Sequence, residues 1–202
     1  MSKLILACPR KIINMDLLPE YGYVSIPVKV MIEYLANLQF QFLPRQEIET
    51  DPSFKQPIPY IVLNHQNQIL FFKRNSSEER LKELYSIGIG GHIEPVDEDN
   101  DIWGTIINGA IREVTEETGL KPSKEELHFL GLINEEKSKV GHVHWGFVFV
   151  LNVKDRTYIK FMDEIQSPQW IRPENIMTLN PPMEYWSKIT LELLLKSKNI
   201  NQ

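Results

Sequence analysis

The sequence predicts a mixed α/β domain built on a mixed sheet and preceded by an N-terminal extension. Short apolar runs typical of strands alternate with two or three segments typical of helices, which indicates a mixed α/β architecture. The length of 202 residues, 42% of them hydrophobic, suits one core with an appendage. The apolar runs become tighter from Ile58 onward, so residues 1–56 are interpreted as an extension packed on a domain of residues 57–202.

The extension contains few regular elements by its pattern. A strand is predicted at Leu4–Cys8 and a helix at Val28–Leu38, within an otherwise irregular lead-in. A loop is expected around four residues, Pro44, Asp51, Pro52 and Pro57.

The domain itself is predicted to begin with a hairpin, because apolar runs at 60–63 and 69–72 are separated by five polar residues. An acidic loop then leads to a helix from about Trp103 to Thr118, which Gly119 is placed to end. Strands are expected at 127–133 and 143–153, and the second, apolar on both faces, should be central. The last elements are a short strand at 168–171 and an amphipathic helix at 183–196.

Charge and cysteine content narrow the range of functions. The net charge of -5 and pI of about 5.6 disfavour a nucleic-acid polymer as partner, although a divalent ion would allow a small phosphorylated ligand. The only cysteine, Cys8, excludes an internal disulfide and a cysteine-rich zinc site. No run approaches the ~20 apolar residues that span a bilayer, so no membrane partner is expected and a cytoplasmic location is the default.

The helix at 103–118 carries three glutamates on one side, since Glu113, Glu116 and Glu117 stand at i, i+3 and i+4. A solvated charged face is the ordinary interpretation of such spacing. Here the carboxylates centre roughly 100° from the apolar arc of the helix, which places them at the rim of the core. Mutually repelling carboxylates at such a position favour a hard divalent cation, Mg²⁺ with Mn²⁺ as a substitute.

Glycines upstream of this helix add a second feature. Gly88, Gly90 and Gly91 allow the backbone to approach a ligand closely, which alone would indicate only a turn. A bound divalent ion beside such a loop suits diphosphate chemistry, because it neutralises phosphate oxygens and lowers the pKa of an attacking water.

The segment R-E-V-T-E-E-T-G-L at residues 112–120 matches the second half of the pattern G-x5-E-x7-R-E-U-x-E-E-x-G-U, where U is aliphatic. The chain therefore resembles the Nudix hydrolase superfamily. This resemblance implies an α/β/α sandwich with the motif beside a mixed sheet. It also implies a Mg²⁺-dependent hydrolase that cleaves a diphosphate linkage in a nucleoside diphosphate derivative or a related phosphorylated small molecule.

The first half of the motif departs from the family pattern. Gly91 lies 21 positions before Arg112 where the motif requires 14, so seven residues are inserted. The first glutamate of the motif falls on Gly104 when counted back from Arg112, and on Asp97 when counted forward from Gly91. Either this carboxylate is absent, or an acid within 94–101 replaces it.

The resemblance also implies roles for individual residues of the motif. Glu116 and Glu117 are expected to bind the metal, together with the Gly90 carbonyl. Glu113 is expected to be a further ligand or the base that deprotonates water. Arg112 is expected to orient the neighbouring glutamate.

Residues outside the helix were weighed as substrate contacts. Gly91 and His92 are candidates because they follow the glycine turn, and Arg80 is preferred to Lys73 and Arg74 as the phosphate-binding cation. Many family members recruit another acid from a downstream loop, and Glu164 is the candidate here. An exposed surface acid and a loop histidine without a role are the alternatives.

Two features remain open. His142 and His144 alternate on a predicted strand and could bind zinc from one face, but without an evident third ligand they are interpreted as substrate-side or structural. The apolar stripe of the C-terminal helix either packs on the domain or meets a second subunit in a homodimer.

Two other function classes compete with hydrolysis. The lengthened first half of the motif favours a Nudix-fold module that binds a nucleotide without cleaving it, whereas the intact E-x-x-E-E favours cleavage. A diphosphate isomerase related to the fold would need a catalytic cysteine, and Cys8 lies far from the motif.

Overall fold

A computed structural model describes residues 2–75 and 84–200. Within them the strands are β1 (Leu4–Pro9), β2 (Tyr21–Val24), β3 (Gln41–Pro44), β4 (Phe54–His65), β5 (Gln68–Arg74), β6 (Tyr85–Ser86), β7 (Ile89–Gly90), β8 (Leu127–Glu135), β9 (His144–Asn152) and β10 (Ile165–Ile171). The α-helices are α1 (Val28–Leu35), α2 (Arg45–Ile48), α3 (Ile102–Thr118), α4 (Lys139–Val143), α5 (Pro173–Leu179) and α6 (Tyr185–Ile200). None of these helices is both long enough and apolar enough to cross a membrane.

The sheet is mixed, as the sequence predicts. Its strand order is β10-β5-β4-β9-β8-β2, with β4 and β9 parallel and the other neighbours antiparallel. The strand β9 lies between β4 and β8, which confirms its predicted central position. Its side chains are buried on both faces because helices cover both sides of the sheet.

The two faces of the sheet bury different helices. Alternate residues of β4 and β9 point to opposite sides, so Ile61 and Phe149 join the core that contains Val114 of α3. Tyr60 and Val148 instead pack with Ile189 and Leu193 of α6. The result is the α/β/α sandwich that the sequence predicts.

The predicted turn of the hairpin and the predicted ends of the helix are confirmed by their local chemistry, although β4 begins at Phe54, before the predicted run at 60–63. Strands β4 and β5 form the predicted hairpin, whose turn residues Gln66 and Asn67 have φ of 50° and 65°. Helix α3 begins after Asp101, whose side chain accepts a hydrogen bond from the Gly104 amide. It ends at Gly119, which has φ of 71° and so supplies the left-handed cap.

The prediction of an irregular lead-in is wrong. Strand β2 pairs with β8 in the main sheet, and β1 pairs with both β3 and the start of β4. The expected loop is also wrong at two positions, because Pro44 ends β3 and Pro57 lies inside β4. Pro57 is tolerated there because the pairing of β4 with β1 ends at Lys55 and that with β7 begins at Tyr60, so no ladder hydrogen bond is lost on that edge.

Candidate active site

A cavity of about 740 Å³ opens beside α3, at the point where the glycine loop, the segment before α4 and the start of α6 meet. This central cavity is lined by the motif residues Gly90, Gly91, Arg112, Glu113, Glu116 and Glu117. Its volume lies in the range of small-molecule sites, roughly 300–1,000 Å³. The N-terminal segment also contributes to its wall, through Lys3 and Arg45.

The three predicted glutamates of α3 all face the central cavity, but to different depths. The Glu113 side chain is 14% exposed and that of Glu116 is 57% exposed. Glu117 is half-buried, and its Oε2 atom is buried without a hydrogen-bond partner. The carboxylates therefore lie at the rim of the core, as their angular position on the helix predicts.

Burial and like charge act together on Glu117. Burial and then the negative charges of Glu164 and Glu113 together raise the pKa of its carboxyl to about 7, against the opposing effect of Arg74. Burial also raises the pKa of Glu113, although the neighbouring Arg112 lowers it. Such groups have a net deficit of positive charge around them, which a bound cation would remove.

Arg112 connects the motif to the loop before it. Its guanidinium donates to both oxygens of Asp97 at 2.9 Å each, to Glu113 at 2.7 Å and to Glu116 at 3.1 Å. It also donates to the backbone oxygen of His92 at 2.7 Å. A guanidinium held by this many acceptors is fixed, so it can orient Glu113 as the family resemblance implies.

Asp97 of the lengthened loop makes the shortest ion pair of that loop with Arg112, at 2.9 Å, whereas Glu94 lies 3.7 Å from it. The Asp97 side chain is 3% exposed, and it also accepts a hydrogen bond from the Glu94 amide within a short 3-10 turn. This is the residue reached by counting forward from Gly91, so the extra residues lie between Asp97 and the body of α3. Asp99 and Asp101 of the same loop instead bind Lys124 and cap the helix.

The downstream acid Glu164 lies on the wall of the central cavity. Two backbone hydrogen bonds bring its loop there: the Met162 amide donates to the Glu117 carbonyl at 3.0 Å, and the Asn75 amide donates to the Glu164 carbonyl at 3.0 Å. The Glu164 side chain is 61% exposed and acts electrostatically on Glu117. The tether explains how an acid about 50 residues downstream reaches the motif.

The backbone of the glycine loop lies so close to its neighbours that a Cβ atom at Gly90 or Gly91 would overlap with them. A Cβ atom on Gly91 would lie 2.3 Å from the Glu113 carboxyl group, and one on Gly90 would lie 2.6 Å from the Pro59 carbonyl oxygen. Gly90 pairs with Tyr60 in the sheet, which fixes the loop against β4. Glycine is therefore required at position 90 by the backbone of β4, whereas a side chain at position 91 would force the Glu113 carboxylate to move.

Gly91→Ala is expected to lower activity by about 100-fold while the protein stays folded. The new methyl group displaces the Glu113 carboxylate, and misplacement of a reacting group by about 1 Å costs about that factor. Initial rates and a thermal melt measure the two effects. Gly104→Ala is the matched control, because the nearest atoms that its Cβ would meet belong to the Asp99 side chain, which does not line the cavity. Full activity in Gly91→Ala would contradict a role for this close approach.

The two histidines of the cavity wall, His92 and His144, are hydrogen-bonded to each other. His92 Nε2 lies 3.1 Å from His144 Nε2 and 2.9 Å from Gln56 Oε1. Burial and, to a smaller extent, the charges of His144, Arg45, Lys3 and Arg112 together lower the pKa of His92 to about 3. His92 is thus neutral at neutral pH and can offer a phosphate a hydrogen bond but no charge.

The prediction that His142 and His144 share one face of a strand is wrong. His142 lies in α4, 3.3 Å from Glu136, because Ser138 accepts a hydrogen bond from the Gly141 amide and starts a helical turn there. His144 is the first residue of β9 and is buried. The pair therefore cannot form the two-histidine zinc face that alternation would give.

Two further sequence candidates have different outcomes. Arg80, the preferred phosphate-binding residue, lies outside the described residues. Cys8 is buried in the core, where burial raises the pKa of its thiol to about 11. With the only cysteine of the chain protonated and in the core, the isomerase alternative lacks its nucleophile.

The donor set of the cavity fits a hard divalent cation. It consists of carboxylate and backbone oxygens, and the unpartnered buried oxygen of Glu117 is the kind of atom that a cation would satisfy. Over residues 2–75 and 84–200, however, no three His, Cys, Asp or Glu side chains already converge on one point. The reason is Arg112, which draws Glu113 and Glu116 to itself, so these carboxylates would have to turn toward a cation.

Comparison with known proteins places the chain in a class. The model of the NUDIX domain family matches residues 56–194, so the chain belongs to this family and is a Nudix-type hydrolase. It is 27% identical over 203 residues to Protein YmaB of Bacillus subtilis (strain 168), with 96% of this chain and 98% of that protein covered.

Solved structures agree with this assignment. The crystal structure of Tm1382, a protein described only as a candidate Nudix hydrolase, is 29% identical with a TM-score of 0.77 and covers 96% of this chain and 99% of its own. A bifunctional NMN adenylyltransferase/ADP ribose pyrophosphatase of Francisella tularensis, complexed with AMP and a Mn ion, is 20% identical with a TM-score of 0.55. It covers 71% of this chain and 42% of its own, and it supports the fold alone.

Several cavity residues were not identified from the sequence. Tyr60, Ser86, Glu184 and Ser187 form a buried polar network at the start of α6. They stand up to 127 residues apart, and each is an ordinary residue for its own segment. The one feature of the sequence that could have indicated this network is Glu184, a glutamate directly before the apolar helix α6.

Proposed function

We propose that this protein is a Mg²⁺-dependent hydrolase that cleaves a diphosphate linkage in a nucleoside diphosphate derivative or a related phosphorylated small molecule. The observation that carries the proposal is the buried, unpartnered Oε2 atom of Glu117 in a cavity where Glu113, Glu116 and Glu164 add negative charge. Repelling carboxylates persist at such a position when a cation and a phosphate ligand relieve them.

The proposed metal ligands are Glu116, Glu117 and the Gly90 carbonyl, with Glu113 or Glu164 as a further donor. Mn²⁺ is expected to replace Mg²⁺, since both prefer oxygen ligands. When bound, the cation would neutralise phosphate oxygens and lower the pKa of water in the site.

The chain's own residues supply orientation and proton transfer. Arg112 holds the Glu113 carboxylate at 2.7 Å, so this group keeps one orientation beside Gly91. Its raised pKa brings it closer to the operating pH, which suits a general base that accepts the proton of the attacking water. Gly91 and His92 line the same wall and are proposed to contact the substrate through the loop backbone and a neutral imidazole.

The domain organisation is part of the proposal. The family match begins at residue 56, close to the proposed start of the hydrolase domain at 57, and residues 1–56 are proposed as an extension that adds β2 to the main sheet and contains the first residues of β4. The extension contributes Lys3 and Arg45 to the cavity wall, so it is proposed to take part in substrate selection.

The decisive experiment measures product release with Mg²⁺ across nucleoside triphosphates, nucleotide sugars, ADP-ribose and dinucleoside polyphosphates. We expect turnover of at least one class that is lost in EDTA and restored by Mg²⁺ or Mn²⁺. Tight binding of these nucleotides without turnover of any of them would instead identify a nucleotide-binding module.

A further inference from the structure

The described wall of the central cavity carries five cationic side chains, and they differ in how fully they are engaged. Lys3 lies 2.7 Å from Glu94, and Arg45 lies 2.6 Å from Glu49. The guanidinium of Arg112 donates hydrogen bonds to Asp97, to Glu113 and Glu116 of the motif, and to the backbone oxygen of His92. The remaining two are Arg74 and Lys188.

Arg74 is held loosely compared with the other arginines. Its described ion pairs are 3.4 Å to Glu184 Oε2 and 3.9 Å to Glu164 Oε2, whereas charge-assisted hydrogen bonds are usually about 2.7–2.9 Å. Its side chain is 20% exposed, so the guanidinium lies at the cavity surface but away from bulk solvent. These distances leave it donor capacity for a ligand.

The Glu184 carboxylate gives Arg74 a fixed anchor. Glu184 is 8% exposed, and its Oε1 atom accepts hydrogen bonds from Tyr60 at 2.8 Å, Ser86 at 2.6 Å and Ser187 at 3.0 Å. The other oxygen faces Arg74. Three hydroxyl donors thus immobilise a buried carboxylate whose charge has Arg74 as its described counter-ion.

Arg74 and the metal-binding glutamates face the same region of the cavity. Arg74 is the last residue of β5 and pairs with Ile165, the residue after Glu164. Its positive charge acts on the Glu117 carboxyl. A phosphate between Glu117 and Arg74 would displace the exposed Glu164 side chain from Arg74. The Glu164 carboxylate would then be free to turn toward Glu117.

We propose that Arg74, anchored by the buried carboxylate of Glu184, is the residue that binds a phosphate group of the substrate in this cavity. The planar guanidinium binds two phosphate oxygens, and the Glu184 network sets its orientation. This inference rests on the proposed function, since it assigns the phosphate contact of the same site.

The test is calorimetric titration of the full chain with inorganic pyrophosphate in the presence of Mg²⁺. Arg74→Met is expected to weaken binding about 10- to 100-fold, the effect of losing hydrogen bonds to a charged group. Arg156→Met, which changes an exposed arginine outside the cavity, should bind as the wild type does. Equal affinity in Arg74→Met, or no pyrophosphate binding by the wild type, overturns the inference.

Arg74→Met leaves Glu184 buried without its counter-ion and could unfold for that reason. The double variant Arg74→Met with Glu184→Gln removes both charges together, so it is expected to melt near the wild-type temperature and still bind pyrophosphate at least about tenfold more weakly. Wild-type affinity in a folded double variant refutes a role in phosphate binding.

Hydrolysis assays separate this inference from the proposed function. Pyrophosphate binding that depends on Arg74, without turnover of any nucleotide, would support the Arg74 site and reject hydrolysis. Turnover in the wild type with unchanged kcat/KM in Arg74→Met would support hydrolysis and reject the Arg74 site. If Arg74 binds the substrate phosphate, KM should rise more than kcat falls, because the contact is already made in the bound substrate.

Discussion

Glu117→Gln is expected to lower Mg²⁺-dependent kcat/KM by about 100- to 1,000-fold. The substitution keeps the shape of the side chain but removes the charge of a carboxylate whose buried Oε2 atom lacks a hydrogen-bond partner. Metal-derived stabilisation of developing charge contributes several kcal/mol, and each ~1.4 kcal/mol corresponds to tenfold in rate. Initial rates at varied Mg²⁺ concentration measure both the rate loss and the weaker dependence on metal.

The same variant should be no less stable than the wild type when metal is absent. The Glu117 pKa is raised from 4.5 to about 7, so the folded chain binds this proton more tightly than the unfolded chain does. The carboxyl group therefore lowers stability progressively as pH rises from about 4.5 toward 7, and glutamine removes this effect. Melting temperatures above pH 7 in EDTA test it.

Mg²⁺ provides the complementary measurement. It should raise the melting temperature of the wild type and have a smaller effect on Glu117→Gln, because a ligand stabilises only the state that binds it. Glu125→Gln is the matched control, since Glu125 is an exposed glutamate outside the cavity. An equal Mg²⁺ shift in wild type and Glu117→Gln would exclude this carboxylate from the metal site.

The part of the site on α3 could be predicted because its determinants are local. The apolar arc, the cap at Asp101 and the glycine at 119 fix the helix, and 3.6 residues per turn then place the three glutamates at the rim of the core. The hairpin of β4 and β5 follows from the same kind of short-range pattern.

Elements stabilised by distant partners could not be predicted in this way. Strand β2 forms part of the sheet only because it pairs with β8, more than 100 residues later, and four residues of mixed polarity carry no strong strand signal. Likewise, the sequence predicts a loop at Pro57. Only the tertiary structure shows that this edge of β4 has no partner strand between Lys55 and Tyr60, so that a proline fits there. Such information lies in the tertiary partner rather than in the segment.

The lengthened loop and the buried polar network are two further parts of the site that the sequence left unresolved. Counting along the sequence left open whether the first carboxylate of the motif is absent or is replaced by an acid within 94–101, because an insertion has no fixed place in a pattern. In the structure Asp97 of this loop receives two hydrogen bonds from Arg112, a contact that its sequence position alone does not reveal. The polar network around Glu184 draws on β4, β6 and α6, so no single segment reveals it.

Arg112→Met is expected to destabilise the protein by about 3–5 kcal/mol, because it leaves the Asp97 carboxylate buried without its partner. Asp97 is 3% exposed and receives two hydrogen bonds from the guanidinium, so water cannot replace the lost donors. Urea unfolding measures the effect. Lys124→Met removes the more exposed ion pair with Asp99 and should change stability far less, because water can replace the lost contact.

A second substitution separates the structural contribution of Arg112 from its effect on Glu113. Adding Asp97→Asn to Arg112→Met removes the unpaired buried charge, so most of the lost stability should return. Activity should not return, because Glu113 still lacks the donor 2.7 Å away that orients its carboxylate. Recovery of both stability and kcat in the double variant would show that Arg112 acts only by neutralising Asp97. Recovery of stability alone would show that the ion pair fixes the loop while the arginine also positions the carboxylate proposed to activate water.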